Sequence, residues 1–186
     1  MLAMLPIGSA GAADMRSVEV RRDKGHIKVV SETYIDAPPA EVFEILADYE
    51  GFHRISKVFD ETRYLERKAD GSGLVYSRAS GCVLFFCKTI ERVERLEIEP
   101  GKRIVATALP EQSDVEYSVA DWTFEAEGDG TRMMYRVDFK PDFWVPPVLG
   151  PLVLRSKLRR KGEEAAERIE VLALQEARAA SSANVR

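Results

Sequence analysis

The sequence predicts an α+β fold in which one long C-terminal helix packs across an antiparallel sheet of about seven strands. From residue 18 to residue 140, segments rich in β-branched and aromatic residues are separated by Gly, Asp and Pro turns, as in consecutive hairpins. A long helical pattern follows the prolines at 146, 147 and 151. The other helical pattern is short and comes directly after the first strand segment.

The first predicted strand segment spans residues 18–35. It is interrupted at Asp23, Lys24 and Gly25, a turn signal that indicates either a hairpin or a bulged extension. After this turn, alternate residues share one face, because side chains in an extended chain alternate with a period of two. That face comprises Ile27, Val29, Ser31, Thr33 and Ile35.

A short helix or helix pair is predicted next. Asp36 supplies a cap, the prolines at 38 and 39 suit a first helical turn, and Glu41 favours the positive end of the helix. Its apolar stripe consists of Val42, Phe43, Leu46, Tyr49 and Phe52.

The other strands are separated by short polar turns or follow one another directly. Because the segment at 74–90 is long for one strand, a bulge or a bend is expected near Gly81. The predicted strands are 58–67, 74–90, 91–98, 104–109, 115–127 and 131–140.

The C-terminal helix provides the observation on which the functional hypothesis depends. Apolar and small residues recur along it at intervals of three and four, which predicts one buried face. Because the middle of this face is small, a curved sheet packed on it is expected to leave a space between helix and strands. The predicted face comprises Leu158, Gly162, Ala165, Ile169 and Leu172.

Length and composition indicate one domain, predicted at 16–177, with a disordered tail at 178–186. The chain has 186 residues, of which 45% are apolar, enough for a full core. A formal charge of −4 and a pI near 5.4 argue against nucleic-acid binding, which needs a net basic surface. A short helical turn is expected before Pro151. The oligomeric state stays open.

Residues 1–15 have the character of a truncated secretory signal, with small residues at 10–13 near a cleavage pattern. They lack a basic segment and their apolar part is short, so a disordered tail is the alternative. The first interpretation predicts a periplasmic or secreted protein, and the second predicts a cytoplasmic one.

The two cysteines, Cys82 and Cys87, are predicted to be buried free thiols. The residues between them, VLFF, include none of the usual turn residues, so the segment is expected to stay extended. Two residues five apart on one strand lie about 16 Å from each other, too far for a disulfide.

Three segments carry a resemblance to a known superfamily: 35–55 (IDAPPAEVFEILADYEGFHRI), 122–141 (WTFEAEGDGTRMMYRVDFKP) and the GEEAAERIEVLAL end of the last helix. On these segments the chain resembles the START-like or SRPBCC superfamily. Its helix-grip fold is shared by the birch pollen allergen, START lipid-transfer domains, polyketide cyclases and aromatases, and coenzyme Q-binding proteins. The chain is most similar to the bacterial polyketide cyclase/dehydrase and lipid-transport group, over about residues 28–175. The resemblance implies a hydrophobic pocket between sheet and helix, and it implies no catalytic motif.

Candidate pocket residues come from the last two strands, from one earlier strand and from the helix. On the strands, alternation turns the aromatic and apolar set to one face, which is expected to be the face toward the helix. The alternative is that these side chains simply fill the core. The predicted pocket residues are Trp122, Phe124, Met133, Tyr135, Val137, Phe139, Tyr76, Arg78, Leu158, Gly162, Ala165 and Ile169.

Polar side chains are candidates for pointing into the same space. Arg78 would anchor an anionic or carbonyl group if its face of the strand is the inner one. An exposed arginine is the favoured alternative, because unpaired buried charge is costly. The candidates are Tyr76, Arg78, Glu116, Tyr117 and Arg155.

The start of the last helix combines an apolar run with five basic residues in the seven from Arg155 to Lys161. Such a segment is a candidate gate or contact with anionic lipid headgroups. The favoured alternative is a solvated helix face balanced by Glu163, Glu164 and Glu167 at helical spacing, with Arg159–Glu163 and Arg160–Glu164 among the expected pairs. The candidate gate residues are Val148, Leu149, Leu152, Arg155, Arg159 and Arg160.

The sequence gives little support for enzyme activity. His26 and His53 are the only histidines, and they belong to no metal-spaced cluster and to no nucleophile-base set. No nucleotide-binding or hydrolase motif occurs, and neither a metal nor a cofactor is predicted. A cyclase-type pocket needs none of these, because positioned tyrosine and arginine are able to guide proton transfer. Catalysis therefore stays open.

The leading hypothesis is carriage of a hydrophobic small molecule, such as a lipid, a quinone or a polyketide-like compound, with transient contact to an anionic membrane surface. One alternative is a polyketide cyclase, aromatase or dehydratase that uses the same pocket. The other is a protein-interaction module with a filled core. Convergent polar groups in the pocket favour the enzyme, and a filled interior beside an exposed apolar patch favours the interaction module.

Overall fold

A computed structural model describes residues 13–146 and 150–183. The elements follow one another in the predicted order of strands, short helices, further strands and one long helix. Short 3-10 turns at Tyr49–Gly51 and Pro110–Gln112 accompany them. The main elements are β1 Asp14–Asp23, β2 His26–Ile35, α1 Pro39–Ala47, α2 Phe52–Ile55, β3 Phe59–Arg67, β4 Gly73–Val83, β5 Phe86–Glu99, β6 Arg103–Ala108, β7 Val115–Glu127, β8 Gly130–Pro141 and α3 Pro151–Ala183.

The strands form one curved, unclosed antiparallel sheet in the order β1-β2-β8-β7-β6-β5-β4-β3. Helix α3 packs across the concave face, which is called the inner face below, and the helix pair α1–α2 covers one end of it. This is the predicted α+β helix-grip architecture, with eight strands instead of about seven. The long-range pairing of β2 with β8 joins the N-terminal hairpin to the last strand.

The N-terminal segment forms a hairpin, one of the two predicted alternatives. Asp23 pairs with His26, so the turn consists of Lys24 and Gly25, both with positive φ, of 47° and 87°. Two central residues with positive φ match the twist of the flanking strands, and glycine adopts that backbone at low cost. Strand β1 already begins at Asp14, so the ordered domain starts earlier than the predicted boundary at residue 16.

The prediction of free cysteines is wrong. Leu84 and Phe85 form a two-residue turn between β4 and β5, and Leu84 adopts a positive φ of 55°. Cys82 and Cys87 therefore lie directly opposite each other, with Cα atoms 4.0 Å apart, and form a disulfide. The expected bulge near Gly81 is also absent from this pairing, whose register runs without a shift from Gly73 to Val83. A turn replaced the predicted continuous strand.

The helix pair follows β2 as predicted, but Asp36 does not cap it. The N-cap is Pro38, which makes no side-chain capping bond. The backbone N–H of Asp36 instead donates to the Glu170 carboxylate at 2.9 Å, which ties the start of α1 to the long helix. Asp48 ends α1 and accepts hydrogen bonds from the Gly51 N–H at 3.3 Å and from the Arg54 guanidinium at 2.6 Å.

Helix α3 extends to Ala183, so the disordered tail predicted from residue 178 is wrong at least as far as residue 183. The expected helical turn before Pro151 falls partly on residues 147–149, outside the described residues. None of the described helices combines the length and the apolar character needed to span a membrane. The buried core lies between α1–α2, the inner face of the sheet and the C-terminal half of α3, where Ile169 and Ala173 are almost fully buried.

Candidate functional site

Two cavities lie between the inner face of the sheet and α3. The larger has a volume of about 430 Å³, within the size range of small-molecule sites. Its wall is mostly apolar and is completed by four lysines and one serine. The lining residues are Ile27, Lys57, Val58, Ala79, Ser80, Gly81, Cys82, Phe86, Lys88, Ile90, Phe139, Phe143, Val145, Leu154, Lys157, Leu158 and Lys161.

The smaller cavity has a volume of about 190 Å³ and lies beneath the middle of α3. Its wall is apolar except for the hydroxyl groups of two serines, one threonine and one tyrosine. The lining residues are Met15, Ser31, Thr33, Leu46, Phe52, Ile55, Ser56, Phe59, Trp122, Met133, Tyr135, Gly162, Ala165, Ala166 and Ile169.

The two cavities follow one another along the same strand and the same helix. Tyr135 of β8 lines the smaller one and Phe139, four residues further, lines the larger. On α3, Gly162 lines the smaller cavity, and Leu158, one helical turn earlier, lines the larger. The two sets of lining residues have no member in common, and together they are called the cleft below; the larger cavity lies toward the N-terminal end of α3.

The small middle of the helix leaves less space than the sequence predicts, because β1 contributes a side chain there. A Cβ at Gly162 would collide with the terminal methyl group of Met15. Met15 is 6% exposed and lies in a small cluster with Val18 and Val29. The glycine thus accommodates a methionine from the edge strand, and the smaller cavity is what remains beside it.

A buried polar cluster borders the smaller cavity and was not predicted. The Glu94 carboxylate, 1% exposed, accepts hydrogen bonds from the Tyr49 hydroxyl at 2.7 Å and from the Ser77 hydroxyl at 3.2 Å. Arg92 Nη1 lies 3.2 Å from the other carboxylate oxygen, an ion-pair distance. Arg92 and Glu94 alternate with Val93 on β5, so both side chains face inward and compensate each other's charge.

Burial raises the pKa values of both tyrosines near this cluster. Desolvation raises the pKa of Tyr135 to about 12, although the Arg92 guanidinium opposes the rise. Desolvation and the neighbouring Glu94 carboxylate raise the pKa of Tyr49 as well. Both hydroxyl groups therefore keep their protons at neutral pH, and that of Tyr49 donates to Glu94. The Tyr135 ring stacks on Trp122 with centroids 4.9 Å apart, which fixes its position on the cavity wall.

The structure brings eight of the twelve predicted pocket residues to the cleft. Six line the smaller cavity and two, Phe139 and Leu158, line the larger one. Phe124 and Val137 share the inner face but belong to the packed core, where Phe124 contacts Phe43 edge-to-face at 5.6 Å. The six are Trp122, Met133, Tyr135, Gly162, Ala165 and Ile169.

Tyr76 and Arg78 do not reach the cleft, so the prediction that placed them in the pocket is wrong. Their neighbours Val75 and Ser77 are fully buried on the inner face, so alternation turns Tyr76 and Arg78 to the outer face. There the Arg63 guanidinium lies 4.7 Å from the centre of the Tyr76 ring. Arg78 is half-buried on this outer face, where its charge stays near water.

The other polar candidates also point away from the cleft. Tyr117 is 42% exposed and its ring lies 5.5 Å from that of His26 on the far end of the sheet. Glu116 forms an ion pair with Lys140 at the surface. Arg155 is exposed and, with Leu152, borders a separate groove against β1.

The candidate gate residues are mostly at the surface. Val148 and Leu149 lie outside the described residues, and Leu152 is 80% exposed. Arg159 donates to Glu163 at 2.9 Å, one of the predicted i,i+4 pairs, and also to the Met15 carbonyl at 3.2 Å. The expected Arg160–Glu164 pair is replaced by Lys161, whose Nζ lies 2.6 Å from the Glu164 carboxylate.

The histidines have structural partners. His26 Nδ1 lies 2.6 Å from the Asp138 carboxylate, and His53 Nδ1 lies 3.0 Å from the Glu50 carbonyl oxygen. Within the two described ranges, no group of three or more His, Cys, Asp or Glu side chains is placed to hold a metal ion.

Part of the cleft was missed although the sequence contained a signal for it. The shared face of β2, with Ser31 and Thr33 among its members, was identified from alternation but was not assigned to the pocket. Phe52 and Ile55 come from α2, whose position over the sheet depends on tertiary packing. The convergence of Lys57, Lys88 and Lys157 left no signal, because three different parts of the chain contribute them.

Comparisons with known proteins agree with this architecture. The family model described as polyketide cyclase / dehydrase and lipid transport matches residues 26–173. Among curated proteins, no sequence matches this chain.

Solved structures with this fold include three from bacteria. The Zhui aromatase/cyclase from Streptomyces sp. R1128 is 18% identical, with a TM-score of 0.63, over 83% of this chain and 98% of that one. A STAR-related lipid transfer protein from Xanthomonas axonopodis is 14% identical, with a TM-score of 0.58, over 82% and 98%. A protein from Thermus thermophilus is 22% identical, with a TM-score of 0.61, over 80% and 98%. At these identities the likeness shows a shared fold. The family description fits a role in hydrophobic ligand binding or polyketide cyclisation.

Proposed function

Because the chain belongs to the polyketide cyclase/dehydrase and lipid transport family, we propose that it binds and carries a hydrophobic small molecule in the cleft beneath α3. The observation that carries this proposal is the pair of adjoining cavities with mostly apolar walls. These cavities favour carriage over the interaction-module alternative, which expects a filled core. The ligand classes that fit are lipids with a single acyl chain, isoprenoid quinones and polyketide-like compounds.

The cleft supplies affinity through apolar contact. Each Å² of ligand surface removed from water contributes roughly 25 cal/mol, so a ligand spanning both cavities gains most of its binding free energy from burial. The shape of the cleft supports an elongated ligand, since the two cavities follow one another along β8 and α3. A ligand of this kind would enter at the N-terminal end of α3, where the larger cavity lies.

Native mass spectrometry of gently purified protein tests the proposal directly, together with binding assays on a lipid extract. The variant Ala165→Trp places a large side chain in the smaller cavity and is expected to lower ligand occupancy at least about tenfold, since core space does not accommodate both groups. Ala180→Trp, on an exposed position of the same helix, is the matched control. Leu158→Trp provides a second test at the larger cavity, in case Ala165→Trp is poorly folded. Unchanged binding in both folded variants would contradict the proposal.

We further propose that the mouth of the larger cavity contacts an anionic membrane during loading or release. Leu84 and Phe85, at the tip of the β4–β5 hairpin, are 62% and 78% exposed, and Trp144 is 71% exposed. The ring of Phe86 lies 6.3 Å from that of Phe143, which brings the hairpin tip beside the segment that precedes α3. Exposed apolar groups next to the basic start of α3 support attachment to a lipid surface.

Sedimentation with vesicles tests this contact. Vesicles that contain phosphatidylglycerol are expected to bind the protein, while vesicles of phosphatidylcholine alone bind it weakly. Replacing Leu84 and Phe85 by serine should reduce binding to the first kind. Leu65→Ser, at a half-exposed position on β3, is the control. If both variants sediment equally with these vesicles, the hairpin tip takes no part in the membrane contact.

Polyketide cyclisation is the second candidate, and the position of Tyr135 favours it. Its protonated hydroxyl group belongs to a side chain on the cavity wall, beside Arg92 and the buried Glu94. A positioned proton donor of this kind is able to guide an aldol closure. The test is turnover of a linear poly-β-ketothioester, with Tyr135→Phe expected to abolish turnover while leaving substrate binding nearly unchanged. Equal turnover by the variant and the parent protein would remove Tyr135 from the reaction.

We also propose that the protein works in an oxidising compartment such as the periplasm. The disulfide between Cys82 and Cys87 supports this, because structural disulfides persist mainly outside the reducing cytosol. Thiol alkylation in acid-quenched cells, followed by mass spectrometry, is expected to label both cysteines only after reduction. Labelling without reduction would contradict the proposal.

A further inference from the structure

The larger cavity has an unusual distribution of charge. Four lysines line it: Lys57 after α2, Lys88 on β5, and Lys157 and Lys161 on α3. Among its described lining residues there is no carboxylate. The chain as a whole has a net charge of −4, with 31 acidic residues against 27 basic ones, so composition does not explain this separation.

Few contacts compensate these charges in the described parts of the chain. Lys161 pairs with Glu164, and the Lys88 ammonium group lies 4.8 Å from the centre of the Phe143 ring. Lys57 and Lys157 have neither a hydrogen bond nor an ion pair with any residue in 13–146 or 150–183. Besides Glu164, the Asp60 carboxylate also contacts a lining residue, as the acceptor of a hydrogen bond from Ser80.

Lys88 is exposed, but its place on β5 turns its side chain toward the cavity. Lys88 pairs with Gly81 and lies two and four residues before Ile90 and Arg92. All three side chains therefore lie on the inner face of β5. An ammonium group on an inner face costs free energy unless it reaches water or an anion. The long apolar stem covers the cavity wall, while the charged end remains at the mouth.

Lys157 on α3 does not follow the pattern of a balanced helix surface. The residues three and four positions from Lys157 are Val153, Leu154, Arg160 and Lys161, none of which is acidic. Lys157 and Lys161 face the same cavity one turn apart, where like charges repel. By contrast, Arg159 on the neighbouring face is paired with Glu163. An anion at the cavity mouth would relieve the repulsion on the cavity side.

We propose that the ligand is an anionic amphiphile, with its apolar body in the cleft and one carboxylate or phosphate group held between Lys57, Lys88 and Lys157. This inference rests on the proposed function, because it assigns the class of molecule that the same cleft takes. The apolar wall near the lysines, formed by Ile27, Ile90 and Phe139, receives the part of the ligand next to its charged group. A free fatty acid and a lysophospholipid share this chemistry.

The test compares ligands that differ only in charge. cis-Parinaric acid and its methyl ester are titrated against the whole protein by fluorescence, at low and at high salt. The acid is expected to bind about tenfold tighter than the ester at low salt, because its carboxylate would form partly exposed charge pairs with three lysines. High salt should reduce this difference in affinity, because it screens exposed charges. Palmitoyl lysophosphatidic acid and monopalmitoyl glycerol, used as competitors, form the second pair and represent the phosphate source.

The variant Lys57→Gln/Lys88→Gln/Lys157→Gln is expected to bind the acid about tenfold more weakly and to bind the ester with unchanged affinity. Lys68→Gln/Lys102→Gln/Arg178→Gln removes the same net charge away from the cleft and should leave both affinities as they are. Circular dichroism confirms that both variants are folded. The inference is supported if the protein binds the acid more tightly than the ester, or lysophosphatidic acid more tightly than the glycerol ester, and if only the triple lysine variant at the cleft loses this preference.

The failures of the two proposals are distinguishable. Equal affinity for the acid and the ester, with both bound, overturns the anionic head and leaves the carrier function in place. An equal loss of acid affinity in both variants also overturns it, because the effect would then belong to the net charge of the protein. If no member of either pair binds, the carrier function itself is contradicted.

Discussion

The two halves of α3 face the same sheet but form different environments. The C-terminal half of α3, together with α1 and the strands beneath it, is called the packed region. Its residues Ile169 and Ala173 are 3% and 0% exposed. The N-terminal half of α3, together with the β4–β5 hairpin and the segment before α3, is called the open region. Its residue Leu158 is 38% exposed. One amphipathic helix thus closes a core at one end and leaves a cleft at the other.

The two halves of α3 differ because different structural elements pack against them. The packed region receives aromatic side chains from α1 and α2, and the Asp36–Glu170 hydrogen bond fixes the distance between these elements. In the open region no helix lies between α3 and the sheet, among the described residues, and lysine stems supply much of the wall. Stability and ligand access are therefore separated along a single helix.

The largest expected effect on stability comes from the polar cluster beneath the packed region. Glu94→Ala leaves the largely buried Arg92 without its carboxylate and is expected to lower the free energy of unfolding by about 3–5 kcal/mol. Glu97→Ala, at an exposed position on the same strand, should cost less than about 0.5 kcal/mol. Urea denaturation measures both. Similar costs for the two variants would show that the cluster contributes no more than the surface does.

A matched pair of truncations compares the two halves of α3 directly. Ile169→Ala removes a side chain that is only 3% exposed, although it also borders the smaller cavity, and is expected to cost about 2–4 kcal/mol, from lost burial and the enlarged cavity. Leu158→Ala, beside an existing cavity, should cost less than about 1 kcal/mol, because little packing is lost. The difference is read from urea midpoints at constant m-value. If Leu158→Ala were as costly as Ile169→Ala, the open region would be packed in solution.

The disulfide is expected to act on the open region alone. Replacing Cys82 and Cys87 by serine removes a cross-link across a very short loop, with an expected cost of about 2 kcal/mol or less. Hydrogen exchange should quicken at the ends of β4 and β5, while amides in α1 and the C-terminal half of α3 keep their protection. Faster exchange throughout the sheet would mean that the hairpin end and the packed region unfold as one unit.

The smallest expected effect concerns Glu170 and pH. Desolvation raises the pKa of this carboxyl, so the folded protein retains the proton at higher pH than the unfolded chain does. The free energy of unfolding therefore falls as the pH rises from the unfolded value, about 4.3, through the folded one. Glu170→Gln keeps an acceptor for the Asp36 N–H and has no carboxyl to titrate, so its stability should gain on that of the parent protein over the pH interval that begins at about 4.3. A parent protein that gains stability on the variant over this interval would contradict the assignment.

Much of the fold was predictable because its signals are local. Turn residues at Asp23–Gly25 and the alternation in β7 and β8 gave the hairpins and identified the face toward the helix. The prediction failed between Cys82 and Cys87, where a turn forms without the usual turn residues. It also failed for Tyr76 and Arg78, because alternation defines two faces and does not say which one is inner.

The sequence by itself determined the order of the elements, the antiparallel hairpins and the buried stripe of the last helix, since each depends on residues close together in the chain. Only the tertiary structure decided that Met15 fills the space above Gly162, that Glu94 is buried with Arg92, and that lysines from three parts of the chain meet at one cavity. These features arise from contacts between residues far apart in the chain. Their geometry depends on strand register and on the position of α3 over the sheet, which no local pattern encodes.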